Sequence, residues 1–331
     1  MTTIFTTALL SGAFAACVAI AVTRVIELLG GKLGGVLAST PTTVIPASVG
    51  FALVAGLPLY GAPPPEAAPA LLTSACFTVP SGMLVSAFFL TTWRYVPPLL
   101  PPTWPLRRAL PAMVALSLSA WAACAAASIA VSRRVGAPVA YGTFCFALHA
   151  AVALAVTWRH KAAPKGAASV PLRALALRGA LAGLAIFVSV LLSGADGVMG
   201  GMASTFPAIF LSIQVSLWVS SGGAVQGGAV GPVMLGAVSV STFAMLFSAV
   251  APLWGIAAAV GVAWGGAVLF VSLPAYIFLG WRAAIAGSAA AEQPPLPAEA
   301  AQPPLPAEAP VGAGGRAAPP LAEDKVALEA L

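Results

Sequence analysis

Long apolar runs, broken only by short clusters of Gly, Pro and basic residues, occupy the chain from Ile4 to Trp281. Neither a two-residue alternation nor a narrow apolar stripe is present. Each run is apolar all the way round, the pattern of a helix buried on every side in a large core or in lipid. About 20 such residues cross a bilayer, and backbone inside lipid must satisfy its own hydrogen bonds, so each run is expected to be a helix. The runs cover roughly residues 4 to 28, 34 to 58, 70 to 93, 109 to 131, 137 to 158, 174 to 193, 199 to 220, 229 to 250 and 254 to 281. The first lacks a basic leader and is long enough to span, so it is expected to remain as a span.

After Arg282 the pattern ends, and tandem copies follow: Glu292-Gln-Pro-Pro-Leu-Pro-Ala-Glu299 and Gln302-Pro-Pro-Leu-Pro-Ala-Glu308. Such a segment has no apolar face to bury, so residues 283–331 are expected to form a disordered tail.

Composition sharpens this picture. The 331 residues are 60% hydrophobic and 7% charged, far below the charge content of a soluble domain. The formal net charge of +6 comes from residues scattered in connections, without the basic face of a nucleic-acid binder. Their distribution is topological. With nine spans, Arg24, Lys32, Arg94, Arg107, Arg108, Arg159, Lys161, Lys165, Arg173, Arg178 and Arg282 fall on one side, and only Arg133 and Arg134 on the other. Basic residues of short loops stay cytoplasmic, which predicts an outside N-terminus and a cytoplasmic C-terminus. Trp93, Trp104, Trp158 and Trp281 stand near span ends, where indoles anchor at the headgroup level.

One motif occurs twice: Gly31-Lys-Leu-Gly34-Gly35-Val-Leu-Ala-Ser39-Thr40-Pro41 and Gly197-Val-Met-Gly200-Gly201-Met-Ala-Ser204-Thr205-Phe-Pro207. Both read G-x-x-G-G-x-x-x-[ST]-x-P, and both open the second span of a four-span block. The predicted fold is therefore an all-α polytopic membrane protein of about nine helices. Repeat 1 occupies 1–132, a connecting helix and basic loop 133–171, and repeat 2 172–282. An odd number of crossings separates the copies, so they enter the membrane from opposite sides, the inverted-repeat plan of many secondary transporters.

The motif chemistry suits a substrate path. Proline removes a helix hydrogen bond and glycine permits close backbone approach, so each copy is expected to break its helix. The candidate path residues are Gly34, Gly35, Ser39, Thr40, Pro41, Thr42 and Thr43 in the first copy and Gly200, Gly201, Ser204, Thr205 and Pro207 in the second, with Gln214, the amide of the seventh span. The competing reading is that small residues only let helices pack closely while hydroxyls bond back to carbonyls. Pro46, Pro80 and Pro232 are further expected break points. Around Gly34-Gly35-Val-Leu-Ala-Ser39-Thr40-Pro41 the chain resembles the GlpM-type group of small bacterial four-span membrane proteins, and the resemblance implies a duplicated four-span unit.

Ionisable residues inside a membrane are functional candidates. Before the tail the carboxylates are Glu27, Glu66 and Asp196; Glu66 falls in a Pro-rich loop. Glu27 and Asp196 are the candidate ion or proton sites, against an Arg24–Glu27 ion pair and a solvated loop aspartate. Tyr141, Cys145 and His149 share a helix face, but two ligands do not make a metal site. Cys17, Cys76, Cys124 and Cys145 have no disulfide or C-x-x-C pattern. No hydrolase elbow, zinc motif or phosphate loop is present, so neither catalysis nor a cofactor is expected. The expected function is a transporter or channel for a small solute or ion. The alternative is a membrane scaffold that docks partners through its tail. The expected surroundings are lipid, with room for a homo-oligomer and no nucleic acid.

Overall fold

A computed structural model describes residues 2–29, 41–42, 44–61, 68–101, 103–158 and 172–291. Most of the first motif copy, the 159–171 loop, Glu66 and the tail repeats lie outside these residues. The described chain is helical: α1 Thr2–Leu29, α2 Ile45–Val54, α3 Pro69–Tyr95, a 3-10 turn Pro97–Leu99, α4 Leu106–Val135, α5 Pro138–Trp158, α6 Leu172–Ser193, α7 Gly197–Ser204, α8 Ala208–Ala267, a π-helical turn Val268–Ser272 and α9 Leu273–Ala291.

α8 is not one rod. Its 60 residues would run about 90 Å if straight. Instead Gln226 Nε2 donates to Gln214 Oε1, and these residues would stand about 18 Å apart on a straight helix. The path therefore reverses between them, in the Gly-rich stretch. It turns again at Gly255, whose φ of 82° belongs to the left-handed region. There Ile256 N–H donates to Pro58 O and Ala257 N–H to Leu59 O. Pro80 and Pro232 lie inside helices that continue through them, as membrane helices permit when neighbours supply the missing contacts.

Among the described residues, seven segments are long and apolar enough to cross a membrane. The last, Gln226–Ile285, has 60 residues and contains the Gly255 turn. Of the expected 34 to 58 span, the described helix is the ten-residue α2. Phe5, Leu9, Leu10 and Phe14 of α1, Leu177 and Leu184 of α6, Leu269 and Phe270 of the π-turn and Ile277 of α9 are exposed. Apolar surface on this scale suits lipid and not water. The chain is an α-helical, multi-pass membrane protein. α9 extends past the expected span end at Arg282, because the Ala-rich stretch to Ala291 favours helix and the first proline comes only at Pro294.

α3 is the central helix. Along its apolar stretch 72% of the residues are buried, against 17% for α4, which lies at the periphery. Small residues bring its neighbours to backbone contact. A Cβ on Gly142 of α5 would sit 2.2 Å from Phe77 O, and one on Gly197 of α7 2.7 Å from Leu71 O. α1 and α6 cross at a reciprocal pair: a Cβ on Gly12 would meet Gly183 O at 2.7 Å, and one on Gly183 would meet Gly12 O at 2.8 Å. In lipid, where no hydrophobic effect separates helix from solvent, such close packing is a main source of association energy.

The two ends of the bundle are chemically distinct. At one, Arg94 Nη1 donates to Val156 O at 3.1 Å, and Arg282 donates to Trp158 O while stacking on Trp158, 5.2 Å from its ring centre. At the other, Arg133 pairs with Asp196. Trp158 and Trp281 are exposed, as interfacial anchors are. Trp93 is not an anchor: it is fully buried, edge-on to Trp218 at 5.8 Å. It stands at a span end, but on the inward face of the central helix.

Candidate functional site

The second motif copy breaks its helix. α7 ends at Ser204, and α8 restarts at Ala208 after Pro207, which has no N–H to continue the ladder. Ser204 and Thr205 donate their hydroxyl protons to Gly201 O and Met202 O, each at 2.7 Å. The carbonyl of Thr205, released by the break, accepts from Ser86 Oγ of α3 at 3.1 Å. Ser86 Oγ in turn accepts from Trp121 Nε1 of α4 at 3.3 Å, and Trp121 packs edge-on against Phe206 at 5.3 Å. Room for Thr205 comes from Gly82, where a Cβ would fall 2.0 Å from its Oγ1. The break is thus held by three residues on two other helices, Gly82, Ser86 and Trp121. Nothing local in the sequence marks them.

Beside the break lies a cavity of about 440 Å³. It is bordered by α1, α3, α6, the end of α7, α8 and α9 and by Thr42 and Val44 ahead of α2. Met83, Ile186, Phe206, Phe210 and Ile213 form apolar walls. Its polar side chains are Thr23, Thr42, Ser204, Thr205, Ser239, Tyr276 and Arg178.

Arg178 belongs to this site and not to the basic loop with which the sequence groups it. It is only 7% exposed and lies six residues into α6, about 9 Å along the axis. Its Nε donates to Ser212 Oγ of α8 at 2.9 Å and its Nη1 to Thr23 Oγ1 of α1 at 3.3 Å. Those hydroxyls are themselves oriented, Ser212 by donating to Ile209 O at 2.8 Å and Thr23 to Ala19 O at 2.7 Å.

Of the sequence candidates, Thr42, Ser204, Thr205 and Pro207 border the cavity. Pro41 is buried next to Thr42. Gly34, Gly35, Ser39, Thr40 and Thr43 lie outside the described residues, as does the side chain of Glu27. Gly200 and Gly201 serve packing: a Cβ on Gly200 would strike Ser193 at 2.5 Å, and one on Gly201 would strike Ala75 O at 2.1 Å. Gln214 faces Gln226, which borders a separate recess of about 370 Å³ with Trp93, Arg94 and Trp218.

Asp196 is the N-cap of α7. Its Oδ1 accepts from Val198 N–H at 2.8 Å and Met199 N–H at 3.2 Å, while Oδ2 pairs with Arg133 at 2.5 Å. Partial burial pushes its carboxyl up, but the Arg133 hydrogen bond, the two backbone N–H groups and the Arg133 charge outweigh burial and hold it below the usual 3.8. These contacts account for Asp196 as a helix cap. On α5, Tyr141 is bonded to Ser128 at 2.9 Å, and Cys145 and His149 are buried. Among the described residues no group of three His, Cys, Asp or Glu could hold a metal.

No protein-family model, curated protein or solved structure matches this chain.

Proposed function

We propose that the protein is a transporter or channel for a small solute, built from two inverted four-helix repeats joined by α5, with nine membrane crossings. The carrying observation is that both motif regions reach one cavity, through Thr42 after the first copy and Ser204, Thr205 and Pro207 of the second. A broken helix in lipid is tolerated where it is buried in protein or borders a wet space, and transporter sites use such breaks. The reciprocal crossing at Gly12 and Gly183 supports the repeat, because α1 and α6 are its expected first helices. The duplicated unit is of the kind the GlpM-type resemblance implies.

Contacts between connections support the count. Nine crossings put the 58–61 turn and the Gly255 turn on one side, and these touch. The same parity puts Arg133 and Asp196 on that side, and these pair. The opposite side receives Arg94, Trp158 and Arg282, which cluster. With basic residues inside, that second side is cytoplasmic and the N-terminus is outside. The role is transport and not catalysis.

The experiment is flux through proteoliposomes against a panel of organic acids, amines and neutral metabolites. Thr42→Cys and Ser204→Cys, in a background without the native cysteines, are expected to support flux and to lose it when a thiol reagent fills the cavity. A protein that moves no solute, and whose two cysteines no aqueous reagent reaches, leaves the scaffold reading as the better account.

A further inference from the structure

We propose that the recess of about 370 Å³ at the Arg94 end of the bundle binds the phosphodiester headgroup of an anionic phospholipid from the adjoining leaflet. This goes beyond the transport reading and does not rest on it.

Three observations carry the assignment. The first is a group of buried polar atoms without partners. Trp93, Trp218 and Gln226 border the recess, and Gln214 stands four residues before Trp218, on the same side of α8. Trp93, Gln214 and Gln226 are fully buried. Gln226 Nε2 donates to Gln214 Oε1, but Trp93 Nε1, Gln214 Nε2 and Gln226 Oε1 have no hydrogen bond. Exchanging N and O in both amides again leaves one donor and one acceptor unmet. Such atoms are costly to bury unpaired, and several together beside one space call for a partner from outside the chain.

The second is the charge. Arg94 is half-buried and borders the recess. Its Nη1 donates to Val156 O at 3.1 Å, a neutral acceptor. Among the described residues the one carboxylate side chain is Asp196, paired with Arg133 at the other end of the bundle. A single guanidinium balances the one negative charge of a phosphodiester and not the near-double charge of a monoester. A guanidinium, an indole N–H and an amide N–H suit the several oxygens of a phosphate, and the remaining amide carbonyl suits a headgroup hydroxyl.

The third is the depth. Pro97 and Pro98 form one wall of the recess, and beside them Tyr95, Leu99 and Trp104 are exposed. Arg94 lies 5.5 Å from the Tyr95 ring centre. Exposed aromatic rings beside arginines at a span end mark the headgroup level, where basic pockets between spans hold anionic headgroups.

The test is native mass spectrometry of the full-length protein, titrated in detergent with phosphatidylglycerol or with phosphatidylcholine of the same chains. Phosphatidylcholine has the phosphodiester but neither net charge nor a headgroup donor, so phosphatidylglycerol is expected to bind about tenfold more tightly. Arg94→Gln and Trp93→Phe are each expected to remove most of that preference. Gly223→Leu guards against misfolding of those variants. Gly223 borders the recess and is exposed, and a Cβ there meets Trp218 Nε1 at an ordinary 3.8 Å, so the leucine fills the space without a clash. It is expected to abolish the preference and leave the thermal midpoint unchanged. Arg107→Gln removes an exposed arginine next to this end and is expected to keep the preference.

Equal affinity for the two lipids overturns the site and leaves water as the partner of the unpaired atoms. A preference that Arg107→Gln removes and Gly223→Leu keeps also overturns it, in favour of general attraction to a basic rim. Displacement of phosphatidylglycerol by an equal concentration of soluble glycerophosphoglycerol overturns the lipid source and assigns the recess to a free phosphodiester.

Discussion

Substituting Gly201 by alanine tests the packing at the second motif, because the clash is against backbone. The added Cβ would lie 2.1 Å from Ala75 O, 3.0 Å from Ala75 C and 2.9 Å from Thr78 Cβ. Ordinary contact begins at 3.4 Å, so α7 must retreat from α3 by more than an ångström. A carbonyl within the central helix has no rotamer to change, so the whole interface opens. Overpacking of this kind costs about 1–3 kcal/mol, and the rigid neighbour places the cost at the upper end. Alanine's helix propensity returns about 1 kcal/mol, leaving a net loss of about 1–2 kcal/mol. Gly261→Ala is the control. Nothing lies within 4 Å of its Cβ position, so it carries the propensity gain alone. Unfolding of both variants in detergent, followed by tryptophan fluorescence with temperature, should place Gly201→Ala a few degrees below wild type and Gly261→Ala at or above it. Equal midpoints would refute the close approach of α7 to α3.

Three further outcomes are expected. Ser86→Ala leaves the Thr205 carbonyl without its hydroxyl donor, which should cost about 1–3 kcal/mol in the same assay. Asp196→Ala should destabilise by about 1 kcal/mol through the lost cap, and Arg133→Ala by less, because that pair is exposed. Since the folded carboxyl of Asp196 sits below its usual value, its contribution is present above the unfolded pKa and is lost as pH falls through the folded one. A pH series from neutral down to about 3 on wild type and Asp196→Ala should show the two converge only at the acid end. Cysteines placed at Ala62 and Gly194 should be labelled by an impermeant reagent from outside, and one at Lys165 only after the membrane is opened. Labelling of Lys165 from outside would remove the nine-crossing topology.

How much of this was legible in sequence follows from which interactions are local. Apolar runs of spanning length specify helices in lipid whatever their neighbours, because backbone has no other way to satisfy its hydrogen bonds there. The break at Pro207 was equally legible, since proline acts on its own preceding turn. What proved non-local was facing. Arg178 reads as a loop cation because it follows Arg173 by one and a half helical turns, and only the packing of α1 and α8 against α6 turns it inward. Trp93 reads as an interfacial anchor for the same reason, yet α3 occupies the centre of the bundle and buries it. Gly200 and Gly201 precede Ser204 and Thr205 by four residues and so share their side of the helix, but one turn earlier that side meets α6 and α3, and the glycines pack there while Ser204 and Thr205 reach the cavity. Gly82, Ser86 and Trp121 support the break from helices more than eighty residues away in sequence. The residues that complete a broken helix are chosen by which helix lies beside it, and that was decided by close packing of small residues between helices, a property no single span possesses.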